Sequence, residues 1–291
     1  MTLSTWTSTV NVTTDALWRT EMQAISTAIL AVGLVQTADT GQINFATAVR
    51  SGVINTAVGY QIFTFNDTYQ GSYPCYIKVE YGSGGVATTS CSLWITVGTG
   101  TNGAGVITPI STSRYQIQCS AATAGTFISG VSGSTSRLTL GWCTNGGTTV
   151  ANWFTVERIQ NSAGADTTTG LVFIQASRNL GITGNFDQVI YFTNPQPYAS
   201  TSVGTMMINQ PTATTWVVGA NTGTGPILPI GFGVHPAVQG GLTYFNADLT
   251  VGNQFTVSIY GNNHNFLAIG SANIGTLYNL QATASILTRW D

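Results

Sequence analysis

Charged side chains are scarce in this sequence. Asp, Glu, Lys and Arg make up 6 % of its 291 residues, against roughly 25 % in typical soluble domains, and Lys78 is its only lysine. The eight scattered Lys and Arg residues cannot neutralise a run of phosphates, so we expect no nucleic acid partner. Because a nearly uncharged surface has little electrostatic repulsion, this composition favours a protein that works inside a large assembly over a free cytosolic enzyme.

Long apolar runs are also missing. The longest spans residues 28–35, far short of the ~20 residues that a membrane-spanning helix needs, so we expect no membrane span. Residues 1–10 lack the basic segment and apolar core of a secretory signal. We therefore expect synthesis and folding in a cytosol.

Cysteines are few and lack a CxxC pair. They are Cys75, Cys91, Cys119 and Cys143. Without a secretory signal this usage predicts free thiols. Alternating apolar residues in segments 75–81 and 91–97 predict that Cys75 and Cys91 face the core. A hairpin of these segments places Cys75 near the far end of the partner strand, which argues against a disulfide between the two.

No catalytic motif is present. The two histidines, His235 and His264, lie outside any HExxH pattern and away from a cysteine pair, so we expect no zinc site, and GxSxG is absent. Residues 98–103 match GxGxxG, but the segment that follows is β-like and ends at a proline, whereas a dinucleotide site needs a helix there. We expect a β-turn at this place, and neither a cofactor nor a metal.

The ten carboxylates are spread along the chain, whereas a glycoside hydrolase needs two that face each other across a cleft. Glu80 and Glu157 lie in predicted strands, each beside a basic residue, and are expected on an outward charged face. Three others are predicted turn residues whose side chains bind nearby backbone N–H groups: Asp39, Asp67 and Asp166. The prediction is therefore a protein that is not an enzyme.

One amphipathic helix is predicted near the N-terminus. Its apolar residues recur every three to four positions: Leu17, Trp18, Met22, Ile25, Ile29 and Val32. Thr14 or Asp15 is expected to cap its start, and Gly33 to end it in a left-handed conformation. The predicted opposite face carries Arg19, Gln23, Ser26 and Thr27.

The apolar stripe of this helix must be buried, either against the chain's own β body or against a neighbouring subunit. Residues 1–12 are predicted to form an extended arm, which either docks onto a neighbour or packs on its own chain. The low charge of the whole chain favours a contact between subunits. The residues predicted to mediate assembly are Trp6, Leu17, Trp18, Met22, Ile25 and Ile29.

From Tyr60 onward the chain has the pattern of β-strands. Runs rich in Val, Ile, Thr and aromatic residues recur between Gly, Asn, Ser and Pro clusters: 60–65, 75–81, 92–97, 115–120, 136–142, 152–159, 171–177, 188–192, 215–219, 255–260 and 285–290. Many short strands predict a mainly β fold, a large antiparallel β-sandwich or jelly roll. We predict an arm and helix over residues 1–36 and a β body over residues 37–291, with two lobes dividing near residues 180–200 as the alternative.

Glycan binding is open as an alternative role. Segments 144–153 and 260–266 combine aromatic rings, which stack on sugars, with Asn side chains, which hydrogen-bond to them, in predicted loops. A receptor-binding adhesin would use them to recognise a host surface glycan. Its predicted binding residues are Trp153, Tyr260, Asn262, Asn263 and His264.

Three stretches together resemble a group of virion structural proteins of tailed bacteriophages and prophages. They are residues 14–45, 76–105 and 152–170, and the final Arg-Trp-Asp at 289–291 fits as well. The resemblance implies a component of the tail tip, baseplate, fibre or capsid exterior, made in the bacterial host cytoplasm and assembled with copies of itself and other virion proteins. By analogy with phage fibres and spikes it implies a trimer. A capsid decoration protein is a further alternative.

Overall fold

The structure is a computed structural model of the chain. It describes residues 2–10, 12–84, 91–109, 114–119, 125–144, 151–158, 172–178, 185–191, 227–229, 241–244, 254–259, 262–273 and 283–289. These residues form one helix and many strands, so the fold is mainly β.

The helix is α1 (Asp15–Ala31). The strands are β1 (Thr2–Val10), β2 (Val35–Gln36), β3 (Ala57–Thr64), β4 (Tyr76–Ser83), β5 (Cys91–Thr101), β6 (Ile107–Pro109), β7 (Tyr115–Cys119), β8 (Gly125–Ser134), β9 (Arg137–Thr144), β10 (Ala151–Arg158), β11 (Val172–Arg178), β12 (Asn185–Tyr191), β13 (Ile227–Pro229), β14 (Gly241–Tyr244), β15 (Gln254–Ile259), β16 (Asn262–Asn273) and β17 (Thr283–Arg289).

The described strands form three sheets, and every pairing in them is antiparallel. The first sheet has the order β1-β8-β9-β10-β11-β12, and the second has the order β2-β3-β4-β5-β6, with β7 also paired to β5. The third sheet has the order β13-β14-β17-β16-β15. Strand β16 lies next to β9 and β10 of the first sheet. The predicted antiparallel β body with a single preceding helix is confirmed.

Most predicted strands coincide with described ones. The exception is the run at 215–219, which lies outside the described residues. Strands β4 and β5 pair with Ser83 opposite Cys91 and Tyr76 opposite Gly98. Cys75 and Cys91 are both buried and lie at opposite ends of this hairpin, so they are too far apart for a mutual disulfide, as predicted. Burial raises the pKa of the Cys75 thiol to about 12, which keeps it protonated at neutral pH.

The ends of α1 follow the predicted signals. The Thr14 hydroxyl accepts a hydrogen bond from the Leu17 N–H at 3.3 Å and so caps the helix. Gly33 follows the last turn with φ of 109°, a value that glycine tolerates because it has no Cβ. The predicted outward face needs one correction, because Ser26 is buried and hydrogen-bonds to the Tyr81 hydroxyl.

The apolar stripe of α1 is buried in its own chain. Side chains from the helix join side chains of the first and second sheets in one hydrophobic core. Four predicted assembly residues have at most 1 % of their surface exposed: Trp18, Met22, Ile25 and Ile29. Since such side chains have no surface to offer a partner, their assignment to a subunit interface is wrong, and the alternative of an ordinary core helix holds. Leu17 is 38 % exposed.

The N-terminal arm is also part of the β body. Residues 2–10 form β1, which pairs along its whole length with β8, placing Trp6 opposite Ser129. The described residues therefore show no boundary at residue 36. Between Tyr191 and Ile227 the chain passes from the first sheet to the third, and the residues between these two lie outside the described part.

Candidate assembly surface

A long loop joins β2 to β3 and lies beside the N-terminus of α1. It spans residues 37–56 without a helix or strand, and we call it the 37–56 loop. Loops of this length are uncommon in compact domains and often carry function. Hydrogen bonds hold it at its start, middle and end.

At its start, Asp39 joins the loop to the turn between β5 and β6. The buried carboxylate accepts hydrogen bonds from the Thr37 hydroxyl (2.7 Å), the Thr101 hydroxyl and the Gly105 N–H (3.1 Å). Burial alone raises the pKa of Asp39, but these hydrogen bonds outweigh it and hold the pKa below its usual value. Asp39 satisfies a backbone donor, as predicted for a turn aspartate.

The GxGxxG match runs from the end of β5 into the turn that Asp39 holds: Gly98 and Gly100 lie in β5, and Gly103 lies in the turn. Strand β5 runs to Thr101 and β6 begins at Ile107, and the two are antiparallel neighbours. Gly103 and Gly105 have φ angles of 78° and 85°. A strand follows the motif where a dinucleotide site needs a helix. The predicted β-turn is confirmed only for the end of the match, because residues 98–101 belong to β5.

In the middle of the loop, Arg50 reaches back to the start of α1. Its Nε donates to Asp15 Oδ1 at 3.0 Å, and its terminal nitrogens donate to the carbonyls of Val12 at 2.6 Å and Thr13 at 3.3 Å. The Arg50 side chain is only 7 % exposed. The guanidinium therefore satisfies carbonyls just before the helix instead of facing water.

The negative charge at this contact lies where the helix dipole favours it. Asp15 lies in the first turn of α1, where a carboxylate interacts favourably with the positive end of the helix. The hydrogen bond from Arg50 holds the pKa of Asp15 below its usual value. One turn further on, Arg19 donates to the Ala48 carbonyl at 2.9 Å, so two arginines attach the loop to the helix.

At its end, the loop is held against β4 and β7. The Ser83 hydroxyl donates to the Val53 carbonyl at 2.6 Å, and the Asn55 N–H donates to the Gly84 carbonyl at 2.9 Å. Gln116 Nε2 donates to Asn55 Oδ1 at 2.8 Å. Asn55 has φ of 59°, a left-handed conformation that asparagine adopts more readily than most residues.

Apolar side chains anchor the inner side of the loop. Ile43, Phe45 and Ala48 pack against the hydrophobic core, and the Phe45 ring meets the Tyr81 ring edge-on, with centroids 5.2 Å apart. A side chain at Gly82 would collide with the carbonyl of Thr56, so this glycine lets the loop approach the sheet closely.

Three aliphatic side chains of the loop face outward. Val49 and Val53 are each 63 % exposed and Ile54 is 49 % exposed; we call these three residues the apolar tip. Arg50, between them in sequence, points inward. This reverses the usual arrangement, in which charged side chains face water and aliphatic ones are buried. The tip is also pre-organised, because the loop that carries it is fixed on both sides.

The predicted glycan-binding residues lie on strands wherever the structure describes them. Trp153 is in β10 opposite Gly141 and Ser177, and Asn262, Asn263 and His264 begin β16, opposite β15. The expectation that Trp153 and residues 262–264 occupy loops is wrong, because these residues pair with neighbouring strands. Their side chains and all of Tyr260 lie outside the described part of the chain. Strands β10 and β16 are neighbours.

The two strand glutamates differ in burial. Glu80 is partly exposed and pairs with Arg114 at 2.8 Å and with Lys78 at 4.0 Å, so the predicted outward charged face is confirmed there. Glu157 is only 3 % exposed and lies opposite the buried Arg137 on β9. The prediction for Glu157 is wrong because both faces of the first sheet are covered at this point.

The predicted turn residue Asp67 has a second role. Its Oδ1 accepts a hydrogen bond from the Tyr69 N–H at 3.1 Å, as predicted. Its Oδ2 accepts from Arg158 Nε at 2.8 Å, and both side chains are buried. Sequence reasoning missed this ion pair because the partners are far apart in the chain. Asp166 lies outside the described residues.

The described residues contain no cluster of three or more His, Cys, Asp or Glu that could hold a metal ion. None of the helical residues described forms a segment long and apolar enough to cross a membrane. No protein-family model, curated protein or solved structure matches the chain.

Proposed function

We propose that this chain is a structural component of a bacteriophage virion that assembles with copies of itself and other virion proteins, without enzymatic activity. The 37–56 loop is the observation that carries the proposal. It turns Arg50 inward and presents Val49, Val53 and Ile54 outward. Binding of a partner over a rigid apolar tip of this kind is favourable, because it removes apolar surface from water.

The composition and the sequence likeness support the same role. A chain with 6 % charged residues has little charge to keep copies apart at the high local concentration of an assembly. The resemblance of residues 14–45, 76–105 and 152–170 to phage virion proteins names the kind of particle. In this role the apolar tip contacts a neighbouring virion subunit.

A charge on the tip tests the proposal. Val53→Asp should lower the number of copies per purified particle about tenfold or more, because burying an unpaired charge costs well over ~1.4 kcal/mol. Val106→Asp is the matched control, since Val106 is also 63 % exposed but lies in the turn between β5 and β6. Equal incorporation of both variants would contradict the proposal. Antibody labelling in electron microscopy then places the chain on the tail or, as a decoration protein, on the head.

A receptor-binding adhesin is the second candidate. It is favoured by the neighbouring positions of β10 and β16, the strands that carry Trp153 and residues 262–264. A glycan array with the purified chain tests it: binding to a host surface glycan that is lost in Trp153→Ala supports the adhesin, and no binding to any glycan removes it.

A further inference from the structure

The outer edge of β1 has the chemistry of a strand-pairing surface. Strand β1 is the first strand in the order of the first sheet, and β8 is its only hydrogen-bonded neighbour among the described strands. An edge strand presents a row of backbone N–H and C=O groups that another strand can pair with. A partner that binds this edge through its backbone would therefore be another extended chain.

Nothing in β1 guards this edge. Its nine residues, TLSTWTSTV, include no charged residue and no proline, which are the usual devices against edge-to-edge pairing. Strand β12, at the opposite edge of the same sheet, contains Asp187. The two edges thus differ in whether the strand carries a charged residue, which disfavours edge-to-edge pairing.

The middle of β1 reads the same in both directions. Residues 4–8 are Ser-Thr-Trp-Thr-Ser, symmetric about Trp6. When two copies of such a strand pair antiparallel about Trp6, every residue i lies opposite residue 12 − i of the other copy. Trp6 then faces Trp6, Thr5 faces Thr7, and Ser4 faces Ser8. Aromatic pairs and Thr–Thr or Ser–Ser pairs are among the stabilising cross-strand combinations.

We propose that β1 is a homodimerisation strand: two copies of this chain join through their β1 edges about a twofold axis at Trp6, which makes the first sheet continuous across both copies. The contact is isologous, because both copies use the same residues. The inference rests on the proposed self-assembly but not on the virion. It predicts an even-numbered oligomer, in contrast to the trimer that phage fibres suggest.

Charge pairs at positions 5 and 7 test the register in the full-length protein by light scattering. Wild type should have twice the mass of the 30.5 kDa chain. Thr5→Lys/Thr7→Lys places like charges opposite each other and should be monomeric, whereas Thr5→Lys/Thr7→Glu places opposite charges there and should restore the dimer. A monomeric or trimeric wild type, or equal masses for the two variants, would overturn the inference.

Cross-linking gives an answer even if the lysine variant does not fold. A mixture of Thr5→Cys and Thr7→Cys proteins should form a disulfide-linked dimer under mild oxidation, because directly opposite Cβ atoms are ~4.5–5.5 Å apart. Either protein alone should not, since its new cysteines are diagonal at ~7–8 Å, too far for a disulfide. Equal cross-linking in all three samples would refute the register. A dimer that is absent from virions would refute only the proposed function.

Discussion

Two arginine–aspartate pairs in this protein have similar geometry and different surroundings. Arg158 and Asp67 meet at 2.8 Å, with side chains 1 % and 5 % exposed. Arg50 and Asp15 meet at 3.0 Å, with side chains 7 % and 36 % exposed. The first pair joins the first sheet to the segment after β3 of the second sheet, and the other joins a surface loop to a helix.

The difference in burial indicates that the two ion pairs have different structural roles. Arg158 also lies over the Phe65 ring, 5.2 Å from its centroid, and a backbone hydrogen bond from Asn66 to Thr135 (2.8 Å) links the same two sheets. The buried pair therefore holds the two sheets together, and we expect global effects when it is broken. Arg50 controls a local conformation, and we expect local effects there.

The largest effect is expected from Arg158→Met. Asp67 would keep a buried carboxylate without its partner, which typically costs ~3–5 kcal/mol, so the free energy of unfolding by denaturant should fall by about that amount. Asp67→Asn/Arg158→Met should lose less than Arg158→Met alone, because no unpaired charge is left behind. A double variant as unstable as the sum of the two single variants would show that the pair is not coupled.

The same change at the surface pair, Arg50→Met, should cost only ~1–2 kcal/mol. Its main effect should appear in hydrogen exchange, with faster exchange at the amides of the 37–56 loop and unchanged exchange in β9 and β10. Arg114→Met is the matched control, since Arg114 pairs with Glu80 on a partly exposed face and does not touch the loop. An equal decrease in the free energy of unfolding in Arg50→Met and Arg158→Met would contradict the distinction between a pair with local effects and a pair with global effects.

The smallest effect is expected from acid. The pKa values of Asp15 and Asp39 are lowered in the folded protein from an ordinary value of 3.8, so both carboxylates stabilise the fold above that pH. This stabilisation is lost as the pH falls through the lower folded values. Exchange of the Gly105 amide, relative to its intrinsic rate in the unfolded chain at the same pH, should therefore accelerate below about pH 3.8. In Asp39→Asn it should be fast at neutral pH and respond less to acid.

Local patterns in the sequence predict much of the second sheet and the helix. Alternation correctly places Ile77, Val79 and Tyr81 in the core, and the Thr14 and Gly33 signals bound the helix correctly. These features depend on neighbours in the chain, which a single sequence displays directly.

Features that depend on distant partners could not be predicted in this way. Strand β8 is rich in Gly and Ser and has weak β-propensity, so it exists because β1 and β9 pair with it. The burial of Glu157 depends on cover from both sides of the sheet. The apolar tip had no periodic signal, because its outward direction is set by hydrogen bonds from Arg50 and Ser83.

The pairing of β1 with β8 has a consequence for synthesis. Residue 10 ends β1, but β8 is complete only at residue 134, so at ~5–20 residues per second a ribosome takes roughly 6–25 s to supply the missing strand. A hairpin of two consecutive strands forms in about 1–10 μs, so β1 waits far longer for β8 than a hairpin strand waits for its partner. Throughout that interval the nascent chains on one messenger RNA carry identical, unpaired β1 strands side by side. The proposed contact between two copies of β1 therefore has time to form during translation, before the first sheet closes.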